Sequence, residues 1–128
     1  MVMKEKETFK FTGRIRSMNF ALEGIVTMIK GQHNAWVHCV SALCVIALAL
    51  FCKVTVYEWC ILIFSIAIVF ITEALNTAFE HLCDVASPEF HPEVKKAKDI
   101  AAGAVLISAI CSGVVGVIIF LPYILKLT

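Results

Sequence analysis

Three long runs of apolar residues constrain the fold of this chain more than any other feature. They cover residues 35–52, 54–72 and 100–125, and each is close to the roughly 20 residues that a helix needs to cross a bilayer. Hydrophobic residues make up 60% of the 128 residues, which is more than a soluble protein of this size can bury. We therefore predict an all-α integral membrane protein with three transmembrane helices.

Prolines and polar residues between these runs indicate where the helices end. Nothing breaks the second helix before Ser87-Pro88, and His91-Pro92 begins the next helix with proline at a tolerated first-turn position. We expect a single membrane domain over residues 1–128. Its helices are expected at residues 8–31, 34–52, 54–86 and 92–125.

The segment before the first apolar run has the pattern of an amphipathic helix. Its apolar residues recur at steps of three and four: Ile15, Met18, Leu22, Ile25 and Ile29. Polar and basic residues lie between them, as in helices that lie in the lipid headgroup region. We predict an N-terminal surface helix. The alternative is a soluble helix that docks on the membrane spans.

Basic residues are concentrated on one side of the predicted spans. The net charge is only +1, which does not favour a nucleic-acid-binding protein with a uniform basic surface. The short link between the first two spans contains only Lys53. By the positive-inside rule, we expect a multi-pass protein whose N-terminus and 81–99 region face the cytoplasm. The basic residues on that side are Lys4, Lys6, Lys10, Arg14, Arg16, Lys30, Lys95, Lys96 and Lys98.

Acidic residues are aligned where the second span is expected to leave the bilayer. Glu73, Glu80 and Asp84 are seven and four residues apart, so a helix places them on one face, beside Asn76. Like charges repel, and at the bilayer edge they are poorly solvated, so this arrangement indicates a bound cation or a function. The alternative is a solvated helix extension, with Lys98 as a partner for Asp84.

A basic cluster precedes the third apolar run, opposite these acids. It consists of Lys95, Lys96 and Lys98, followed by Asp99. Acids that hold a metal beside lysines that hold phosphate are what phosphoryl transfer from a nucleotide requires. The six glycines form no GxxxxGK[ST] and no GxGxxG pattern. Composition and spacing therefore indicate a cation-binding membrane site with enzyme-like charge placement.

Two runs of sequence resemble the prokaryotic diacylglycerol kinase family. Residues 73–84 (EALNTAFEHLCD) are similar to its E-x-x-N-T-A-x-E-x-x-x-D signature, and residues 97–105 (AKDIAAGAV) are similar to its A-K-D-x-x-x-A-A-V run. Residues 17–21 with Gly24 resemble the opening of its amphipathic helix. The resemblance implies a homotrimeric kinase of the bacterial inner membrane, which uses ATP and Mg²⁺ to phosphorylate a lipid hydroxyl.

The resemblance also implies roles for individual residues. Glu73 would be the catalytic general base, and Glu80 would hold the metal, with Asn76 and Asp84 in support. The lipid substrate would contact Asn34 and His38 as well as Glu73. The residues implied for nucleotide binding are Phe20, Gln32, Glu80, Glu89, His91, Lys98 and Asp99.

One position departs from the family pattern. The family commonly has a metal-binding glutamate in a pattern like E-x-N-x-x-x-H, whereas this chain has Gln32-His33-Asn34 followed by His38. An amide oxygen can ligate Mg²⁺ but carries no charge, so we expect an elevated Mg²⁺ requirement if Gln32 is a ligand. Asn34 and His38 resemble the branch of Gram-positive bacteria whose members phosphorylate undecaprenol.

We therefore expect undecaprenol as the acceptor, with diacylglycerol as the alternative. A rival from another class is a small ion- or proton-coupled transporter with Glu73 as its intramembrane carboxylate. Gln32 also leaves open an inactive scaffold of the same fold.

Overall fold

The computed structural model of the protein describes residues 10–128, and within them it contains four α-helices. The expected start of the surface helix near residue 8 lies outside this part of the chain, as do Lys4 and Lys6. The helices are α1 Phe11–Gly31, α2 His33–Cys52, α3 Val56–Ala86 and α4 Pro92–Leu125.

Helices α2, α3 and α4 are each long and apolar enough to cross a bilayer. In the most apolar 18-residue stretch of α2, only 11% of the residues are buried by the rest of the protein, and the corresponding shares for α3 and α4 are 28% and 22%. Most of this apolar surface therefore has no protein cover within the described chain, and lipid or another subunit must cover it. The prediction of an all-α membrane protein with three candidate spans is confirmed.

Local sequence explains where the membrane helices begin and end. The backbone of Lys53 is in the left-handed conformation at the end of α2 (φ 53°). Helix α3 begins with a capping box, in which the Thr55 side chain accepts from the Glu58 N–H and the Glu58 side chain accepts from the Thr55 N–H. At the start of α4, His91 Nδ1 accepts from the Glu93 N–H.

Helices α3 and α4 form an antiparallel pair joined by polar contacts. The Thr72 and Ser108 hydroxyls lie 2.8 Å apart, and the Ser112 hydroxyl donates to the Ser65 carbonyl at 3.0 Å. Small residues and hydrogen-bonded hydroxyls favour helix association in lipid, where the hydrophobic effect does not drive it. An apolar cluster completes the packing towards the C-terminal end of α4 and consists of Ala49, Val54, Leu62, Ile119 and Phe120.

The apolar stripe of α1 is mostly uncovered. Met18 and Leu22 are 66% and 55% exposed, whereas Met28, near the end of the helix, is buried. A helix docked by this stripe on the spans of its own chain would hide these side chains. Their exposure instead supports the interfacial surface helix.

Candidate active site

Glu73 lies inside the protein, on the part of α3 that follows its apolar stretch. Its side chain is fully buried, at 0% exposure. The Thr77 hydroxyl donates to the Glu73 carbonyl at 2.9 Å, which occupies the backbone of Glu73 but not its carboxylate. The side chain that faces the carboxylate is His38 of α2, whose Nε2 lies 3.4 Å from Glu73 Oε2.

Four buried polar atoms around Glu73 have no hydrogen-bond partner among residues 10–128. They are His38 Nε2, Glu73 Oε1 and Oε2, and Asn76 Oδ1. Such groups are costly in lipid and rare in native proteins, so their clustering indicates a functional site. The structure thus brings together three residues that the resemblance implicated, although the resemblance implied only that His38 and Glu73 both meet the lipid, not that they contact each other.

Glu80 lies two turns further along α3 and contacts the junction between α1 and α2. The Gln32 amide donates from Nε2 to Glu80 Oε2 at 2.9 Å. Gln32 has an extended backbone between the two helices (φ −118°, ψ 121°), so its side chain connects this junction to α3. Because a carboxylate only accepts hydrogen bonds, the amide nitrogen of Gln32 faces Glu80 and its oxygen points elsewhere.

The oxygens along this face of α3 suit an Mg²⁺ ion whose other ligands are mainly the phosphates of a nucleotide. Within the described chain, no three His, Cys, Asp or Glu side chains come together as a complete metal site. Mg²⁺ commonly uses one or two carboxylates together with substrate phosphates and water. Glu80 supplies such a carboxylate, and Asn76 supplies an amide oxygen that has no other partner among residues 10–128.

A polar cavity of about 380 Å³ lies where α3 passes into α4. Its lining includes Asp84, Glu89, His91 and Lys98, all implicated by the resemblance. The Lys98 ammonium forms an ion pair with Asp84, so the pairing that was left open for Asp84 is present in the structure. The loop residue Phe90 also lines this cavity and is 79% exposed. Sequence reasoning missed Phe90, although its place just after Ser87-Pro88 puts it in the loop.

Three other implicated residues lie apart from this cavity. Asp99 is not among its lining residues and pairs instead with Lys95, one turn away on the surface of α4. Phe20 is 62% exposed on α1, and Asn34 is exposed near the start of α2. The described chain therefore does not gather all the residues implied for nucleotide and lipid into one site.

A second cavity of about 570 Å³ lies between α2, α3 and α4 and has mostly apolar walls. It runs from His38 and Phe70 at one end to Leu48 and Leu62 at the other. The His38 and Phe70 rings meet edge to face, with centroids 6.4 Å apart. This apolar cavity therefore ends at the residue that contacts Glu73. Its volume falls within the range typical of ligand sites.

The chain is similar to known proteins over most of its length. The family model for prokaryotic diacylglycerol kinase matches residues 19–120. The chain is 36% identical to an undecaprenol kinase of Bacillus subtilis over 107 residues, which cover 84% of this chain and 87% of that protein. It is 34% identical to a diacylglycerol kinase of Synechocystis over 112 residues, covering 87% of this chain and 64% of that protein. A Helicobacter pylori diacylglycerol kinase is 36% identical over 87 residues, which cover 62% of this chain and 68% of that protein.

The four-helix fold with three candidate spans is that of a membrane protein, and buried polar atoms without partners in the described chain, such as those around Glu73, are typical of a functional site. The chain belongs to the prokaryotic diacylglycerol kinase family, whose members are lipid kinases. Membership implies phosphoryl transfer from ATP and identifies a kinase, not a transporter, as the function.

Proposed function

We propose that the protein transfers the γ-phosphoryl group of ATP to undecaprenol, with Glu73 as the general base and Mg²⁺ as the cofactor. The observation that carries this proposal is the buried Glu73 carboxylate, which has no hydrogen-bond partner among residues 10–128 and is contacted by His38 at the end of the apolar cavity. The cavity with charged lining residues begins about 16 Å further along α3, at Asp84. A lipid alcohol requires such a position, because its tail needs apolar walls and its hydroxyl must meet a phosphate from water.

Each residue near Glu73 and Lys98 has a separate proposed role in the reaction. Glu73 accepts the hydroxyl proton as the alcohol oxygen bonds to the γ-phosphorus and the bond from that phosphorus to ADP breaks. When bound, Mg²⁺ supplies charge neutralisation at the phosphates. Glu80 and Asn76 are the residues that would hold it, and Gln32 would join them once its amide turns its oxygen towards the ion. Lys98 contributes positive charge towards the phosphates once it exchanges its Asp84 partner.

The remaining implicated residues have proposed roles at either end of the reaction. Glu89, His91 and Asp99 bind the nucleotide from the α3–α4 loop and the start of α4, and Phe20 binds it from α1. Asn34 contacts the lipid near its hydroxyl. The cavity lined by Glu89 and His91 supports this arrangement for the loop. Phe20 and Asn34 are exposed and lie apart from the cavity in this chain. They take part only if a bound substrate extends to them or if they face the site of a neighbouring subunit.

The choice of acceptor depends on two observations. The Bacillus subtilis relative is an undecaprenol kinase, and this chain has Asn34 and His38, which resemble the branch that phosphorylates undecaprenol. Diacylglycerol is the second candidate, because diacylglycerol kinases of two other organisms match at similar identity.

We further propose that residues 1–128 form one kinase domain of the bacterial inner membrane, with the Glu73 site and the N-terminus on the cytoplasmic side. The lysines around residues 95–98 support this orientation, because basic residues flank spans on the cytoplasmic side and ATP is available there. A homotrimer accords with the uncovered apolar surface of α1 and the three spans. The mass of the protein in detergent, measured by light scattering with the detergent subtracted, tests the trimer.

A direct test uses the purified full chain in detergent micelles with labelled ATP and Mg²⁺. Undecaprenol and dioleoylglycerol are supplied in parallel at equal mole fractions, and Glu73→Gln serves as the matched control. We expect lipid phosphate from undecaprenol at several times the rate seen with dioleoylglycerol, and almost none from the variant. Preference for dioleoylglycerol would replace the acceptor but retain the mechanism. Equal background from both proteins with both lipids would identify an inactive scaffold.

A further inference from the structure

The buried carboxylate of Glu73 has one titratable neighbour within ion-pair distance among residues 10–128. His38 Nε2 lies 3.4 Å from Glu73 Oε2, and its side chain is 15% exposed. This distance is within reach of an ion pair but does not meet the geometry of a hydrogen bond. Catalytic hydrogen bonds are often long before substrate binds and shorten in the reacting complex. The contact is therefore suited to holding the carboxylate during the reaction.

The orientation of the imidazole does not depend on Glu73. Phe70, one turn before Glu73 on α3, meets the His38 ring edge to face with an interplanar angle of 72°. Helix α2 is also connected to α3 at its start, through the hydrogen bond from Gln32 to Glu80. A ring held in this way presents its Nε2 from a fixed direction, and a single ring N–H can engage only one carboxylate oxygen at full strength.

His38 also lies where the apolar cavity meets Glu73. Two of the three serines that line the cavity have their hydroxyls engaged, since Ser41 donates to the Val37 carbonyl and Ser112 to the Ser65 carbonyl. His38 Nε2, by contrast, is a buried atom with no hydrogen-bond partner in the described chain. Among the lining residues, the buried side-chain nitrogen or oxygen atom that lacks a partner in the described chain therefore lies at the end nearest the carboxylate.

We propose that His38 is a positioning residue for the catalytic base. This inference rests on the proposed role of Glu73. The Nε2–H of His38 holds Glu73 Oε2, so that Oε1 faces the hydroxyl of the lipid alcohol. In the reaction the O–H bond of the alcohol breaks and an O–H bond forms at Oε1. The alcohol oxygen bonds to the γ-phosphorus, ADP leaves, and His38 keeps its proton throughout. The role differs from the direct lipid contact that the family resemblance implied for His38.

The test compares three variants of the full chain in the lipid kinase assay. His38→Ala removes the N–H donor. His38→Gln restores an amide N–H at nearly the position of Nε2, whereas the side chain in His38→Asn is too short to bring its N–H to Glu73. We expect kcat to fall about 10- to 100-fold in the alanine and asparagine variants, because misplacing a reacting group by about 1 Å costs up to that much. The KM for the lipid should stay within about threefold, and the glutamine variant should recover most of kcat.

Cys39→Ala is the matched control, because Cys39 is the next residue on α2, is half-buried as His38 is, and does not line the apolar cavity. Its kcat and KM should stay within about twofold of the parent values. If the alanine variant does not fold, as judged by size-exclusion chromatography and circular dichroism, the glutamine and asparagine pair still decides the question.

Three outcomes would overturn the proposal. A higher lipid KM at unchanged kcat would make His38 a substrate contact, and a glutamine variant as impaired as the alanine variant would show that the N–H donor is not what matters. A further loss on adding His38→Ala to Glu73→Gln would show that the two residues act separately. The Glu73→Gln variant alone separates the two hypotheses: if it keeps full activity, the base assignment fails. If it is inactive while His38→Ala is fully active, only the positioning role fails.

Discussion

Two of the three glutamates on helix α3, Glu58 and Glu73, have completely different surroundings. Glu58, in its first turn, is half-buried, and its Oε2 accepts hydrogen bonds from the Thr55 N–H at 2.8 Å and from the Tyr123 hydroxyl at 2.6 Å. Glu73, about 22 Å further along the helix, is fully buried, and its carboxylate oxygens have no hydrogen-bond partner within the described chain. Residue type and helix are the same, so the difference lies in what the neighbouring helices present.

The packing around each glutamate differs in the same way. Around the first turn of α3, which we call the Glu58 end, α2, α3 and α4 pack into the apolar cluster that contains Leu62 and Phe120. Around Glu73, which we call the Glu73 end, the apolar cavity begins at His38 and Phe70, and buried polar atoms have no partner among residues 10–128. The Glu58 end satisfies its own polar groups and therefore stabilises the bundle. The polar groups of the Glu73 end have no partners within the described chain, as the proposed active site requires.

The largest expected difference between the two ends is tested by replacing each glutamate with glutamine in turn. Glu73→Gln should lower kcat about 10²- to 10⁴-fold, the usual contribution of a general base, without loss of stability, because a buried charge with no full partner is removed. Glu58→Gln should keep kcat within about twofold. Both are measured by lipid-dependent ATP consumption and thermal unfolding in detergent. Comparable losses of activity in the two variants would show that the ends do not differ in function.

The metal requirement tests the Glu73 end a second time. Gln32→Glu places a second carboxylate where the amide now donates to Glu80, so that only a cation can relieve their repulsion. We expect the Mg²⁺ concentration for half-maximal activity to fall about tenfold. Gln32→Met serves as the control and should raise that concentration. An unchanged Mg²⁺ dependence in Gln32→Glu would mean that Gln32 lies outside the metal site.

At the Glu58 end the expected effect is on stability alone. Tyr123→Phe removes one of the two hydrogen bonds to Glu58 Oε2 and keeps the ring that packs against the apolar cluster. We expect the melting temperature in detergent to fall by a few degrees and kcat to change less than twofold. A large loss of kcat at an unchanged melting temperature would contradict the structural role of this end.

The smallest expected effect lies between the two ends, where α3 and α4 meet through hydroxyls. Ser108→Ala removes the contact with Thr72 and should cost about 0.6 kcal/mol, the average measured for hydrogen bonds between membrane helices. Ser112→Ala, which removes the hydrogen bond to the Ser65 carbonyl, is the matched comparison. Unfolding in mixed micelles measures both. Because Thr72 is next to Glu73 in sequence, a loss of kcat in Ser108→Ala alone would extend the Glu73 end to this contact.

Much of the fold and part of the site follow from local sequence. The apolar runs have the length that a bilayer requires, and Ser87-Pro88 marks the end of α3, so the three candidate spans were predictable. The spacing of Glu73 and Glu80 likewise places both on one face of a helix, and the structure directs both towards α2 or the junction before it. These are properties of one helix and need no knowledge of its neighbours.

The contacts between helices could not be predicted in the same way. Which side chain faces Glu73 depends on the rotation of α2, and that rotation depends on packing along the whole helix. His38 therefore became the partner of Glu73 only in the structure. Asp84 illustrates the same limit, since the sequence offered both a bound cation and Lys98 as its partner, and the structure contains the ion pair with Lys98.

The unbroken course of α3 makes the protein sensitive to membrane thickness. Glu73 follows the start of α3 at Val56 by a rise of about 26 Å, close to the roughly 30 Å of a typical hydrocarbon layer. A straight helix of that length sets the depth of Glu73 relative to the lipid headgroups. A much thicker bilayer would place Glu73, still enclosed by protein, at the depth of the acyl chains and further from the water, and a much thinner one would tilt the helix. Kinase turnover in vesicles should therefore be greatest at one acyl-chain length and decline on either side of it.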